Sequence, residues 1–154
     1  MKMKKKIYIA YGSNMDDEQM RYRCPDARLI GTGILEGWRL MFKGSKTGYY
    51  ATIEKEGGCI VPVLLWEISE ADEARLDRYE GFPAFYYKKT IRAVNTNEHG
   101  IKCDVTSGMA YIMHEERKLG LPSMQYLSIL EEAYKKFGFD IDILGDACEY
   151  SWPE

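Results

Sequence analysis

The sequence predicts an α+β fold, and three observations carry that prediction. Short runs of β-branched and aromatic residues recur between glycine and proline punctuation, as strands do. Stretches opening at Asp16, Ser69 and Pro122-Ser123 combine N-terminal helix signals with a defined stop. No repeat, linker or low-complexity tract interrupts the 154 residues, a length that suits one domain with its own core. The domain expected spans residues 1–154.

Ile7-Tyr8-Ile9-Ala10 reads as a buried strand and breaks into Tyr11-Gly12-Ser13-Asn14. Asp16-Asp17-Glu18 place anionic residues in the first turn of a short helix through Met20, which Pro25 stops. Residues 27–35 read as a strand with a glycine interruption, 38–42 as another, and 44–48 as a loop. Residues 50–53 resume as a strand, Glu56-Gly57-Gly58 forms a turn, and 59–68 is apolar enough for burial on both faces. Ser69 with Asp72 three positions on makes a capping box, and Gly81 ends that helix as its left-handed stop. Residues 86–94 and 106–113 are strands around a polar turn at 95–100. In the helix opened by Pro122-Ser123, Tyr126, Leu130, Ala133, Tyr134 and Phe137 share one face, and Gly138 closes it. Seven or so strands and three helices suit a small closed or nearly closed sheet.

A net charge of −3 and a pI near 5.5 give no electrostatic reason to expect nucleic acid or an anionic membrane. The basic run Lys2 to Lys6 reads as a solvated leader to the first strand. The apolar segment after it is too short for a signal peptide, and no stretch reads as a membrane span. Cys24, Cys59, Cys103 and Cys148 lie far apart, and His99 and His114 are isolated. Reduced thiols in a cytoplasmic protein without a metal site are the expectation.

Two places could carry chemistry. A glycine turn after a strand can aim several N–H groups at one point and seat a carboxylate or an oxyanion; it can equally be a plain turn with a local Asn cap. Glu80 lies about 40° around the helix from Leu76 and so shares its inward side. The negative helix end and the flanking Tyr79, Phe82, Pro83, Phe85 and Tyr86 would both raise its pKa. The alternative is a terminal Glu that reaches into solvent. Tyr111 in a strand and Tyr126 in a first helical turn read, singly, as core aromatics.

Together these pieces resemble the gamma-glutamylcyclotransferase family. The matching elements are Tyr11-Gly12-Ser13-Asn14-Met15, Tyr50-Ala51-Thr52-Ile53 before an apolar strand ending at Trp66, and Leu76-Asp77-x-x-Glu80-Gly81. Tyr111 and Pro122-Ser123-x-Gln125-Tyr126 follow in family order. Ala84-Phe85-Tyr86 and residues 115–121 depart from the pattern. The resemblance implies a compact mixed β-barrel flanked by helices. It implies cleavage of gamma-glutamyl compounds to 5-oxoproline, and no cofactor or metal. It makes Glu80 the catalytic acid/base and Tyr11, Gly12, Ser13, Asn14, Tyr111 and Tyr126 the substrate-binding residues. The form of the turn favours the branch acting on gamma-glutamyl amino acids. Open beside it are the same chemistry on another gamma-glutamyl donor and a non-catalytic metabolite-binding module. The partner expected is a small gamma-glutamyl substrate, with a homodimer left open.

Overall fold

The computed structural model describes residues 5–153. Its strands are β1 (Lys5–Ala10), β2 (Arg28–Ser45), β3 (Gly48–Ser69), β4 (Tyr86–Thr96), β5 (Lys102–Met113) and β6 (Lys118–Leu119). Its helices are α1 (Asp17–Arg23), α2 (Glu70–Tyr79), α3 (Met124–Phe137) and α4 (Asp142–Tyr150), with a 3-10 turn at Ser13–Met15. The α+β class is as expected.

The sheet runs β3-β1-β5-β4-β2-β6, and a further β2–β3 ladder brings the first five strands into a barrel-like ring. All the pairings are antiparallel except β1 with β5, which meet in parallel at Tyr8 and Met109. Fully buried Ile9, Leu35, Phe42, Ile53, Leu64 and Ile112 fill the space between strands. Val61 to Trp66 are all buried, so β3 has apolar neighbours on both faces at its centre.

Three expectations needed correction. The strands read at 27–35 and 38–42 are one strand, because Glu36 pairs with Ile60 and Trp38 with Lys55 across an irregularity. Glu56-Gly57-Gly58 is not a hairpin turn. Residues 56–59 bulge from β3 opposite Gly37, and Gly37 (φ 80°) and Gly58 (φ 85°) supply the left-handed backbone that the bulge needs. The loop read at 44–48 tightens to a hairpin in which Ser45 pairs with Gly48; a Cβ on Gly44 would lie 1.9 Å from the Gly48 carbonyl oxygen.

The fourth helix, α4, was not expected. Its N-cap makes no side-chain hydrogen bond and Gly145 interrupts it, so local signals are weak. Tertiary contact holds it instead: Leu144 and Ala147 are buried, and the Phe42 N–H donates to Ser151 Oγ just beyond it (2.8 Å). Residues 115–121, which depart from the family pattern, include β6, paired to β2 at Lys43 and Gly44. Of the basic run, residues 2–4 lie outside the described residues, while Lys5 and Lys6 open β1 and are exposed. Among the described residues no helix is long and apolar enough to cross a membrane.

Candidate active site

Glu80 owes its position to α2. Ser69 Oγ accepts from the Asp72 N–H (3.1 Å) and Asp72 Oδ2 accepts from the Ser69 N–H (3.2 Å), which completes the capping box. Buried Leu76 fixes the inward face of the helix, and the Glu80 N–H donates to the Leu76 carbonyl (2.8 Å). Gly81 at φ 64° then turns the chain away, and a Cβ there would crowd Phe85 Cβ at 3.2 Å. Glu80 therefore ends the helix facing inward.

Opposite it, Tyr11 to Asn14 leave β1 and enter the 3-10 turn, where the Met15 N–H donates to the Gly12 carbonyl (3.0 Å). The amides at the start of such a turn have no intrahelical partner. Asp16 rather than Asn14 caps α1, accepting from the Gln19 N–H (3.0 Å). Asn14 is thereby free for the cavity. It is buried, its carbonyl accepts from Trp66 Nε1 (3.1 Å), and its Nδ2 donates to Tyr8 Oη (2.9 Å) and Glu80 Oε1 (3.3 Å). Gly12 is needed for close approach: a Cβ there would lie 3.2 Å from the Tyr126 hydroxyl.

Tyrosines wall the space between. Tyr11 Oη donates to the Tyr111 carbonyl, and Tyr111 Oη donates to Asp77 Oδ1 (2.6 Å). Tyr126 Oη accepts from the Ala51 N–H (3.1 Å), while Tyr86 Oη donates to the Ala51 carbonyl (2.9 Å). The resulting cavity has a volume of about 390 Å³. Tyr11, Gly12, Ser13, Asn14, Glu80, Tyr111 and Tyr126, the seven residues singled out in the sequence, all line it.

Sequence reasoning missed several neighbours. Tyr8 lines the cavity too, and Thr47 brings the β2–β3 hairpin tip to it, while Tyr79, Phe85 and Tyr86, expected to flank Glu80, and Tyr50 line it as well. Arg23 carries no sequence signal, yet its guanidinium donates to Asn14 Oδ1 (2.6 Å) and Ser13 Oγ (3.3 Å).

Burial drives the electrostatics. Loss of water pushes the Glu80 carboxyl up to about 7, against the opposing pull of the Arg23 guanidinium and the Asn14 amide. The same loss of water pushes the hydroxyls of Tyr8, Tyr11, Tyr86, Tyr111 and Tyr126 upward, so they remain neutral donors. Among the described residues no group of three or more His, Cys, Asp or Glu could hold a metal ion, and all four cysteines are free thiols. The arrangement can bind a small polar molecule and exchange a proton with it near neutral pH.

A carboxyl of raised pKa set over a glycine turn, inside a tyrosine-walled cavity of an α+β ring, is an arrangement suited to a small polar ligand. A sequence model of the family described as gamma-glutamyl cyclotransferase, AIG2-like, matches residues 8–135, and the chain belongs to that family. The chain is 28% identical to a gamma-glutamylcyclotransferase of Bos taurus over 144 residues, covering 88% of this chain and 73% of that protein. A Homo sapiens gamma-glutamylcyclotransferase is 29% identical with the same coverage. Among solved structures, a gamma-glutamyl cyclotransferase superposes with a TM-score of 0.80 at 23% identity, covering 98% of this chain and 90% of that one. A glutathione-specific gamma-glutamyl cyclotransferase from yeast gives 0.61 at 10% identity, covering 95% and 98%. These structural likenesses show the shared fold.

Proposed function

We propose that this enzyme cleaves gamma-glutamyl amino acids, releasing 5-oxoproline and the free amino acid, with Glu80 as its catalytic acid/base. The observation that carries the reading is the Glu80 carboxyl facing Asn14 across the cavity, 3.3 Å from its amide nitrogen. Family membership and the two mammalian relatives support the reaction class.

The substrate carries its own nucleophile. Its α-amine attacks the γ-carbonyl carbon and closes a five-membered ring, so no Ser-His or Cys-His pair is required. An intramolecular attack held in register can supply about 7–11 kcal/mol of the barrier. The ammonium must first lose a proton, which ionised Glu80 accepts. The N–C bond then forms and the carbonyl electrons move to oxygen. N–H groups of Gly12 to Asn14 stabilise that oxyanion or hold the substrate α-carboxylate; one oxyanion donor is typically worth about 3 kcal/mol. Protonated Glu80 delivers its proton to the departing nitrogen as the old C–N bond breaks, and the surplus proton on the ring nitrogen passes back to the freed carboxylate, leaving a neutral lactam and a free amine. A carboxyl with a pKa of about 7 suits both steps, being part ionised and part protonated at neutral pH. The reaction needs only a soluble substrate, consistent with a cytoplasmic setting and with gamma-glutamyl turnover of the kind found in glutathione metabolism.

Incubation with gamma-glutamyl-alanine and detection of 5-oxoproline tests the reading. Glu80→Gln is expected to retain the fold and lower turnover by about 10²–10⁴-fold. Near-normal product release by that variant would exclude Glu80. A parallel panel of gamma-glutamyl amines separates the amino acid branch from the amine branch: faster release from the amines would reject the amino acid assignment.

A further inference from the structure

We propose that Arg23 is a positioning residue of this site, fixing the Asn14 side chain so that its NH₂ faces Glu80 and Tyr8. The inference rests on the role given to Glu80 above. Arg23 ends α1, outside the cavity wall, and its donors define the arrangement. A guanidinium can only donate. Its Nη1 lies 2.6 Å from one terminal atom of Asn14, so that atom is the carbonyl oxygen Oδ1. The other atom is then Nδ2, which reaches Tyr8 Oη at 2.9 Å and Glu80 Oε1 at 3.3 Å. Without Arg23 the amide is free to rotate and present Oδ1 to the carboxylate, turning a donor into a repelling acceptor.

Arg23 is itself held on the far side. Its guanidinium carbon lies 3.4 Å from the centre of the Tyr79 ring, and Nη2 donates to the Tyr79 hydroxyl. Tyr79 directly precedes Glu80, so one cation ties the end of α1 to the end of α2. Charge points the same way. The titratable groups around Glu80 are Tyr8 and Tyr11 at β1, Arg78 and Tyr79 of α2, Tyr86 of β4, Tyr111 of β5 and Tyr126 of α3, with Arg23 of α1 behind Asn14. The five hydroxyls of Tyr8, Tyr11, Tyr86, Tyr111 and Tyr126 are pushed upward by burial and remain uncharged through the working pH range, and of the two arginines it is Arg23, behind Asn14, whose charge pulls the Glu80 pKa down. Arg23 thus favours the ionised base in two ways, by its own charge and through the donor it holds in place.

The expected signature is a displaced pH dependence rather than a uniform loss. Arg23→Gln should move the acid limb of kcat/KM upward by about 0.5–1 pH unit. Activity should fall several-fold near pH 7 and recover toward pH 9. Arg23→Lys retains the charge with fewer donors and should fall between that variant and the wild type. The Glu80 side-chain carbon, followed by NMR in Glu-labelled protein, should titrate upward in the same order without any substrate present. An unmoved Glu80 titration in folded Arg23→Gln overturns the inference, as does an equal loss of activity at every pH. Absence of product from every gamma-glutamyl donor in the wild type would instead reject the proposed reaction, and the NMR titration would still decide the role of Arg23.

Discussion

At the scale of single residues, the decisive feature is a half-buried carboxyl that folding leaves without an ion-pair partner in contact. The folded pKa of Glu80, about 7, stands above the 4.5 of an ordinary glutamate. The folded state therefore binds this proton more tightly than the unfolded chain. The sign follows: the associated stability is fully present below about pH 4.5 and is lost as pH rises through 7. Above that window the buried charge costs at most about 3 kcal/mol. Glu80→Gln should thus unfold at higher denaturant concentration than wild type at pH 8, and the two midpoints should converge near pH 4. Equal separation at both pH values would mean that the gain comes from something other than the buried charge. A carboxyl retained at a cost to the fold is the usual form of a compromise between stability and activity.

At the scale of elements, α2 delivers Glu80 and its N-terminal cap anchors the helix. Ser69 Oγ accepts from the buried Asp72 N–H (3.1 Å) and also lies 2.9 Å from Oδ2 of the exposed Asp26. Ser69→Ala should cost about 1–2 kcal/mol in chemical denaturation, read as a lower midpoint. Turnover below the new transition should stay near normal, because the opposite end of the helix is independently fixed by Leu76 and Gly81. A collapse of turnover at full foldedness would show that the cap positions the acid as well as the helix. The capping box was legible in the sequence, since its residues are local and their spacing is set by one helical turn. The β2–β3 ladder was less so. Gly37 and Gly57-Gly58 look like turn residues in isolation, and pairing with a strand about twenty positions away makes them a bulge instead. Helix α4 escaped for a related reason: its stability comes from the surface of β2, which no local window contains.

Across the whole molecule, the cavity is where separate parts of the ring meet. The Gly12 turn follows β1, Ala51 belongs to β3, Tyr86 to β4, Tyr111 to β5, and Glu80 and Tyr126 come from helices. A ligand in that space bridges elements distant in sequence and should stabilise the fold as a unit. Saturating 5-oxoproline is expected to raise Tm by several degrees in wild type, in proportion to the logarithm of its concentration. Unchanged melting at high 5-oxoproline would mean that the folded enzyme does not hold the product.

The sequence by itself determined the α+β class, the capped helix that ends in Glu80, and seven residues that line the cavity. These are properties of local periodicity, of caps, or of a linear pattern shared across a family. Only the tertiary structure decided the water-poor setting of the carboxyl, the joining of two strands through a bulge, the fourth helix, and the approach of Arg23 to Asn14. Each of those depends on which distant surfaces come together, and burial, unlike helical spacing, is a property of the assembled chain.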